Sequence, residues 1–311
     1  MKIDIFPHIL PKKYLAAFRT KVKSGSEFNP RVLKNKAVSE IDLRLRLMDR
    51  YPDVIQVLTV SLPPLESLVT PSDAVELAMM ANDELADLVD KYPDKFIAAV
   101  ACLPLNDMDA ALKEADRAIT QLGFRGVQIF TNIDGEPLDL PKFRTLYEKM
   151  AYYDLPIWIH PYEDDKRRVP VFGYPYETTL AMARLVSAGI FQDYPDIKFI
   201  THHCGGMVPF IEQRIRWLLP LQKREGQVPS TIDHFRKFYN DTAVYGSTAA
   251  LMCGYEFFGA DHMLFGTDMP LGPDYGLTME TIRSVENMEV PDYDKEKIFK
   301  QNAIRLLRIA T

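Results

Sequence analysis

At 311 residues and 47% apolar, the chain can bury one large core and has the length of a single α/β barrel, which usually runs about 250 residues or more. Its 43 Asp and Glu exceed its 37 Lys and Arg, for a formal net charge of −6, and no basic stretch offsets this, which argues against nucleic acid as a partner. Cys102, Cys204 and Cys253 are widely separated and form no CxxC pair, no run of roughly 18 apolar residues could span a bilayer, and no charged leader precedes the first apolar segment, so the expectation is a cytoplasmic chain with reduced thiols and no membrane partner.

Eight short apolar runs, rich in β-branched residues, follow in order. They are KIDIF (2–6), DVIQVLTVS (53–61), FIAAVACLP (96–104), GVQIF (126–130), PIWIH (156–160), IKFITHH (197–203), FYNDTAV (238–244) and MLFGTD (263–268). Between them lie stretches of 3.6-residue periodicity. One helix is predicted from Ser72, as N-cap, to Pro93, and others over 107–122, 142–152, 177–191 and 209–221. Strands that are continuously apolar point to a parallel sheet buried on both faces. No G-x-G-x-x-G follows the first strand, so a closed (β/α)8 TIM barrel is preferred to an open doubly wound sheet. The reading is one domain over 1–311, with inserted loops at about 9–37 and 161–176 on the face where barrels carry their sites. The Lys/Arg-containing stretch 12–36 is read as a solvated loop.

Four of the six histidines fall at strand ends: His8, His160, His202 and His203. Asp268 closes the eighth strand in FGTDMP, whereas His234 and His262 fall in helical or pre-strand contexts and are read as packing or surface residues. A lone strand-end histidine is more often a packing residue than a ligand. Several strand ends of one barrel converge on its axis, however, and imidazole with carboxylate suits a borderline divalent metal that keeps a position open.

These segments resemble the amidohydrolase superfamily, and within it the branch of aminocarboxymuconate-semialdehyde decarboxylase and the γ-resorcylate-type decarboxylases. The opening MKIDIFPHILP is similar to that branch's MKIDxHxHILP. QLGFRGVQIF (121–130), PIWIHPY (156–162), YETTLAMARLVSAGIFQDYPDIKFITHHCGGMVPF (176–210) and LFGTDMP (264–270) match in order, so the resemblance covers nearly the whole chain. It implies a divalent metal, zinc or else manganese, held by His8, His160 and Asp268. It implies His203 as an acid/base, with Asp268 the other candidate proton carrier. Arg214 matches a substrate-binding arginine that reaches across a dimer, so a homodimer or higher homo-oligomer is expected.

The departure is Phe6, which stands where the branch has a ligating His or Glu. The resulting reading is a metal-dependent carboxy-lyase acting on a hydroxylated aromatic, heteroaromatic or enol-type acid, with Phe6 as an apolar wall against the substrate ring. Glu163 is a candidate substrate contact. His202 is expected to point toward the barrel wall, since successive strand residues alternate. Two alternatives stay open: a hydrolase or hydratase on the same barrel, and a non-catalytic binding protein in which Phe6 marks a lost metal.

Overall fold

The computed structural model describes residues 1–23, 30–60, 64–163, 169–222 and 231–309. Its strands are β1 (Lys2–Asp4, resumed at His8–Ile9), β2 (Val54–Val60), β3 (Phe96–Ala99, resumed at Ala101–Cys102) and β4 (Val127–Phe130), followed by β5 (Ile157–His160), β6 (Phe199–Thr201), β7 (Tyr239–Asp241) and β8 (Met263–Leu264). Every neighbouring pair from β1 to β8 is parallel. β3 changes partner midway, its first half bonding β2 and its second half β4. The ring closes where the Ile5 amide donates to the Phe265 carbonyl and the Asp268 amide to the Phe6 carbonyl, both at 3.0 Å. The fold is therefore the (β/α)8 barrel expected from the eight apolar runs.

Alternation along each strand separates two cores. Ile157 and Ile159 face the surrounding helices, while Trp158 lies in the barrel interior with Val57, Val100 and Ile200. Gly126 makes room for that interior ring. Its φ is +152°, and a Cβ there would sit 2.4 Å from the Pro156 carbonyl oxygen and 2.6 Å from the Trp158 ring. The Trp158 indole then donates to the Ile5 carbonyl at 3.0 Å, tying β5 to β1 through the barrel centre.

Helix starts follow local chemistry where a cap is present. Thr70 caps the helix Pro71–Lys91, two residues before the Ser72 expected, with Pro71 as first residue. Asp107 caps Met108–Thr120. The expected loop between 12 and 36 is instead helical over Lys12–Lys21, with Tyr14, Leu15 and Phe18 buried. That helix has no side-chain cap of its own. Its Lys13 and Tyr14 amides donate to the Glu84 carboxylate at 3.0 and 2.6 Å, a partner 70 residues away that no local pattern announces. The second expected loop ends early, because a helix runs from Pro170 to Ser187. Parts of both loops, 24–29 and 164–168, lie outside the described residues.

Candidate active site

The C-terminal strand ends meet as the sequence predicts. His8, His160, His203 and Asp268, with Phe6, line one cavity of about 840 Å3 or stand directly against its lining. The His8 and His160 ring centroids are 5.1 Å apart, and His8 Nε2 lies 2.8 Å from Asp268 Oδ1.

A buried polar network sets these positions. Arg44, fully buried on the helix Ile41–Met48, donates to the His8 carbonyl at 2.6 Å and to Gln56 Oε1 at 2.7 and 3.1 Å. Gln56 donates to Asp4, whose carboxylate also accepts from the Thr267 amide at 3.0 Å and the Thr267 hydroxyl at 2.6 Å. One chain of contacts thus clamps β1 against the segment that carries Asp268. Burial pushes the Asp4 carboxyl up, against the opposing pull of its Thr267 and Phe6 bonds and the Arg44 charge.

Electrostatics then fix proton positions. Burial, with His8 and His202 nearby, holds the His160 imidazole far below its ordinary range, so this ring is neutral. Its Nδ1 stands 2.8 Å from the Pro161 carbonyl; an imidazole donating there turns the Nε2 lone pair outward. Burial would raise the Asp268 carboxyl, but the contact with His8, the charge at His203 and the Tyr245 hydroxyl outweigh it and hold Asp268 below its usual value. That hydroxyl donates to Asp268 Oδ2 at 2.6 Å.

His202 departs from expectation. Instead of facing the wall, it is fully buried in the interior, stacked on Phe6 with ring centroids 3.5 Å apart. The reason is the alternation itself: Ile200 points inward, so the residue two later does too. His203 should then point outward, but its φ of +54° opens a left-handed run through Cys204, Gly205 and Gly206 that swings its ring into the cavity. Asp241 pins the start of this run. Its Oδ1 accepts from the His203 amide at 2.9 Å and the Ala243 amide at 3.0 Å, while Oδ2 lies 2.6 Å from His202 Nδ1. Burial pushes the Asp241 carboxyl up to about 6 despite the attraction of His203.

Sequence reading missed Asp241 and Tyr245: Asp241 lies inside the seventh run, and only the structure shows that it ends β7, where the strand-end rule that selected Asp268 applies to it equally. Two expected residues are not in the described lining. Glu163 has its carboxylate against Gly173 of the helix Pro170–Ser187. Arg214 is exposed on the helix Glu212–Leu218 and lines a separate groove with Thr179, Val208 and Phe235.

The residues present suit a divalent ion in donor chemistry. Both His8 nitrogens are buried without a hydrogen-bond partner, because the 2.8 Å approach to Asp268 lacks hydrogen-bond alignment. An imidazole with orphaned buried nitrogens beside a carboxylate is an arrangement that a shared cation satisfies. Among the described residues, no three His, Cys, Asp or Glu side chains already close into a ligand cage.

Comparison with known proteins agrees with this geometry. The family model for amidohydrolases matches residues 8–309. The chain is 30% identical to a γ-resorcylate decarboxylase of Rhizobium sp. strain MTP-10005, covering 89% of this chain and 90% of that one. It is 28% identical to the 2-amino-3-carboxymuconate-6-semialdehyde decarboxylase of Dictyostelium discoideum, over 99% and 91% of the two chains. The crystal structure of a dihydroxybenzoic acid decarboxylase from Polaromonas sp. JS666, with bound manganese and the inhibitor 2-nitroresorcinol, superposes with a TM-score of 0.83 at 25% identity, over 99% of this chain and 96% of that one. With its barrel, its strand-end histidines and aspartate, and a family match that runs nearly end to end, this chain belongs to the amidohydrolase family.

Proposed function

We propose that the protein is a metal-dependent non-oxidative decarboxylase of a hydroxylated aromatic acid, a carbon–carbon lyase. The observation that carries the reading is the meeting of His8, His160, His203 and Asp268 beside the flat apolar ring of Phe6. His8, His160 and Asp268 would hold the ion, zinc or manganese, each imidazole through one ring-nitrogen lone pair and the aspartate through a carboxylate oxygen. When bound, the ion supplies Lewis-acid attraction for the substrate carboxylate and its neighbouring hydroxyl oxygen.

The chain's own groups do the rest. Phe6, 1% exposed and stacked on His202, closes the apolar floor beside the reacting groups and keeps water from that side. His203, its backbone anchored by Asp241, holds the proton that passes to the ring carbon bearing the carboxylate. The carbon–carbon bond then breaks, carbon dioxide leaves, and the released electron pair restores the aromatic ring. Tyr245 fixes the Asp268 carboxylate, which is the alternative proton carrier. Metal analysis of the purified protein, followed by a screen of hydroxybenzoic and hydroxylated heteroaromatic acids for carbon dioxide release, tests the reading. His203→Asn is expected to keep its metal and lose turnover by about 100-fold or more; unchanged turnover removes His203 from the chemistry.

Assembly belongs to the same proposal. Among the described residues, nine of the fifteen exposed large apolar side chains fall in two short segments, 169–176 and 207–221, including Phe172, Phe210, Trp217 and Leu221. Such clustering marks a protein–protein surface, and Arg214 stands within it, turned away from its own cavity. A dimer buries these side chains and carries Arg214 to the second copy's site. Sedimentation is expected to show a dimer, and Arg214→Ala to weaken substrate binding. A monomer with full activity contradicts both.

A further inference from the structure

The cavity is larger than a one-ring acid requires. It measures about 840 Å3, whereas about 150 Å3 is enough to hold benzene. Its reactive groups, His160, His203 and Asp268, take up one part of the lining. Apart from Tyr174 and Tyr245, the rest is apolar and partly built of small residues. Ala249, Ala250 and Cys253 of the helix Thr248–Phe258 share one helical face at spacings of three and four, and Pro209 and Phe210 come from the segment that follows His203. This face begins beside the reactive groups, since the Cys204 thiol reaches the Ala250 carbonyl at 3.8 Å and His203 is the next residue back. Among the described residues, no Lys or Arg lines the cavity.

Resting on the decarboxylase reading above, we infer that the substrate is a hydroxylated aromatic acid bearing an apolar substituent of several carbons, seated along Ala249, Ala250 and Cys253. A charged or polyhydroxylated tail laid along Ala249, Ala250 and Cys253 would lie against carbon and lose its water there, and that desolvation is unfavourable. An alkyl chain or second ring instead gains from leaving water, and the small side chains leave it the room.

The test uses the full-length, metal-loaded protein and 2-hydroxybenzoates carrying hydrogen, methyl, propyl or pentyl at ring position 4, 5 or 6. Carbon dioxide release gives kcat/KM, and calorimetry gives the affinity independently of turnover. In at least one positional series both are expected to rise about three- to fourfold per methylene. Ala250→Phe is expected to cut the pentyl-to-methyl ratio at least tenfold. Ala249→Phe, at an exposed position where a large side chain is tolerated, repeats the test should the first variant fold poorly. Flat or falling series in every position, with the parent acid still turned over, overturn the apolar arm and leave the decarboxylase reading intact. Affinity that rises with chain length while no acid releases carbon dioxide keeps the arm and overturns the chemistry. An unchanged ratio in both variants overturns the placement of the arm, and absence of both binding and turnover overturns the whole proposal.

Discussion

Phe6 sits where the histidines of the site meet. Its ring is 1% exposed, stacked on His202 and edge-on to His8. The position faces the site, as its place in the cavity lining shows. Phe6→His is expected to tighten metal binding by at least about tenfold, roughly 1.4 kcal/mol, read by titrating manganese against a chelator. Affinity that does not move would confine Phe6 to shaping the substrate wall. Glu66 offers a residue-scale prediction away from the site. Burial pushes its carboxyl from 4.5 up to about 7, with Asp134 adding to the rise. Between those values the unfolded chain releases the proton before the folded one does, so stability falls as pH rises from about 4.5 to about 7 and is level above. The loss is on the order of 3 kcal/mol. Urea denaturation at pH 5 and pH 8 should show it, and Glu66→Gln should flatten the difference; a pH-independent wild type contradicts the assignment.

Among the elements, β4 and β6 make opposite use of unusual backbone. At the start of β4, Gly126 makes room for the Trp158 ring at a φ that L residues seldom adopt. Gly126→Ala is therefore expected to cost about 2 kcal/mol or more, measured as a lowered denaturation midpoint with altered Trp158 fluorescence. A midpoint within error of wild type would mean that β4 and β5 can part without penalty. At the end of β6 the same left-handed region is used to aim a side chain. Alternation would put His202 and His203 on opposite faces, and the turn at His203 brings both to one place. The eight apolar runs, and five of the helices, were legible because burial on two faces and 3.6-residue spacing are local patterns. The helix Lys12–Lys21 was not, because Glu84 caps it from a distant helix. Nor was the direction of His202 legible, since it depends on Ile200 being the inward residue, which only the closed ring establishes.

At the scale of the molecule, the barrel gathers groups that lie some 260 residues apart. His8 and Asp268 come within 2.8 Å because β1 and β8 are neighbours, and the Arg44–Gln56–Asp4–Thr267 network holds that seam closed. A buried, fully bonded cation at such a place is costly to interrupt, since removing one partner leaves the others unpaired in low dielectric. No described helix is long and apolar enough to cross a membrane. The exposed apolar surface instead concentrates around the helices that begin at Pro170 and Glu212.

By itself the sequence determined the number of strands, their parallel order, and the strand-end histidines and aspartate from which a site could be drawn, because each of these is written in residue type and short spacing. Tertiary structure alone decided which way His202 and His203 face, that Asp241 and Tyr245 join the site, and that Arg214 leaves it. Those outcomes turn on contacts between strands and helices far apart in the chain, where closure of the ring selects one neighbour among many that local chemistry would allow.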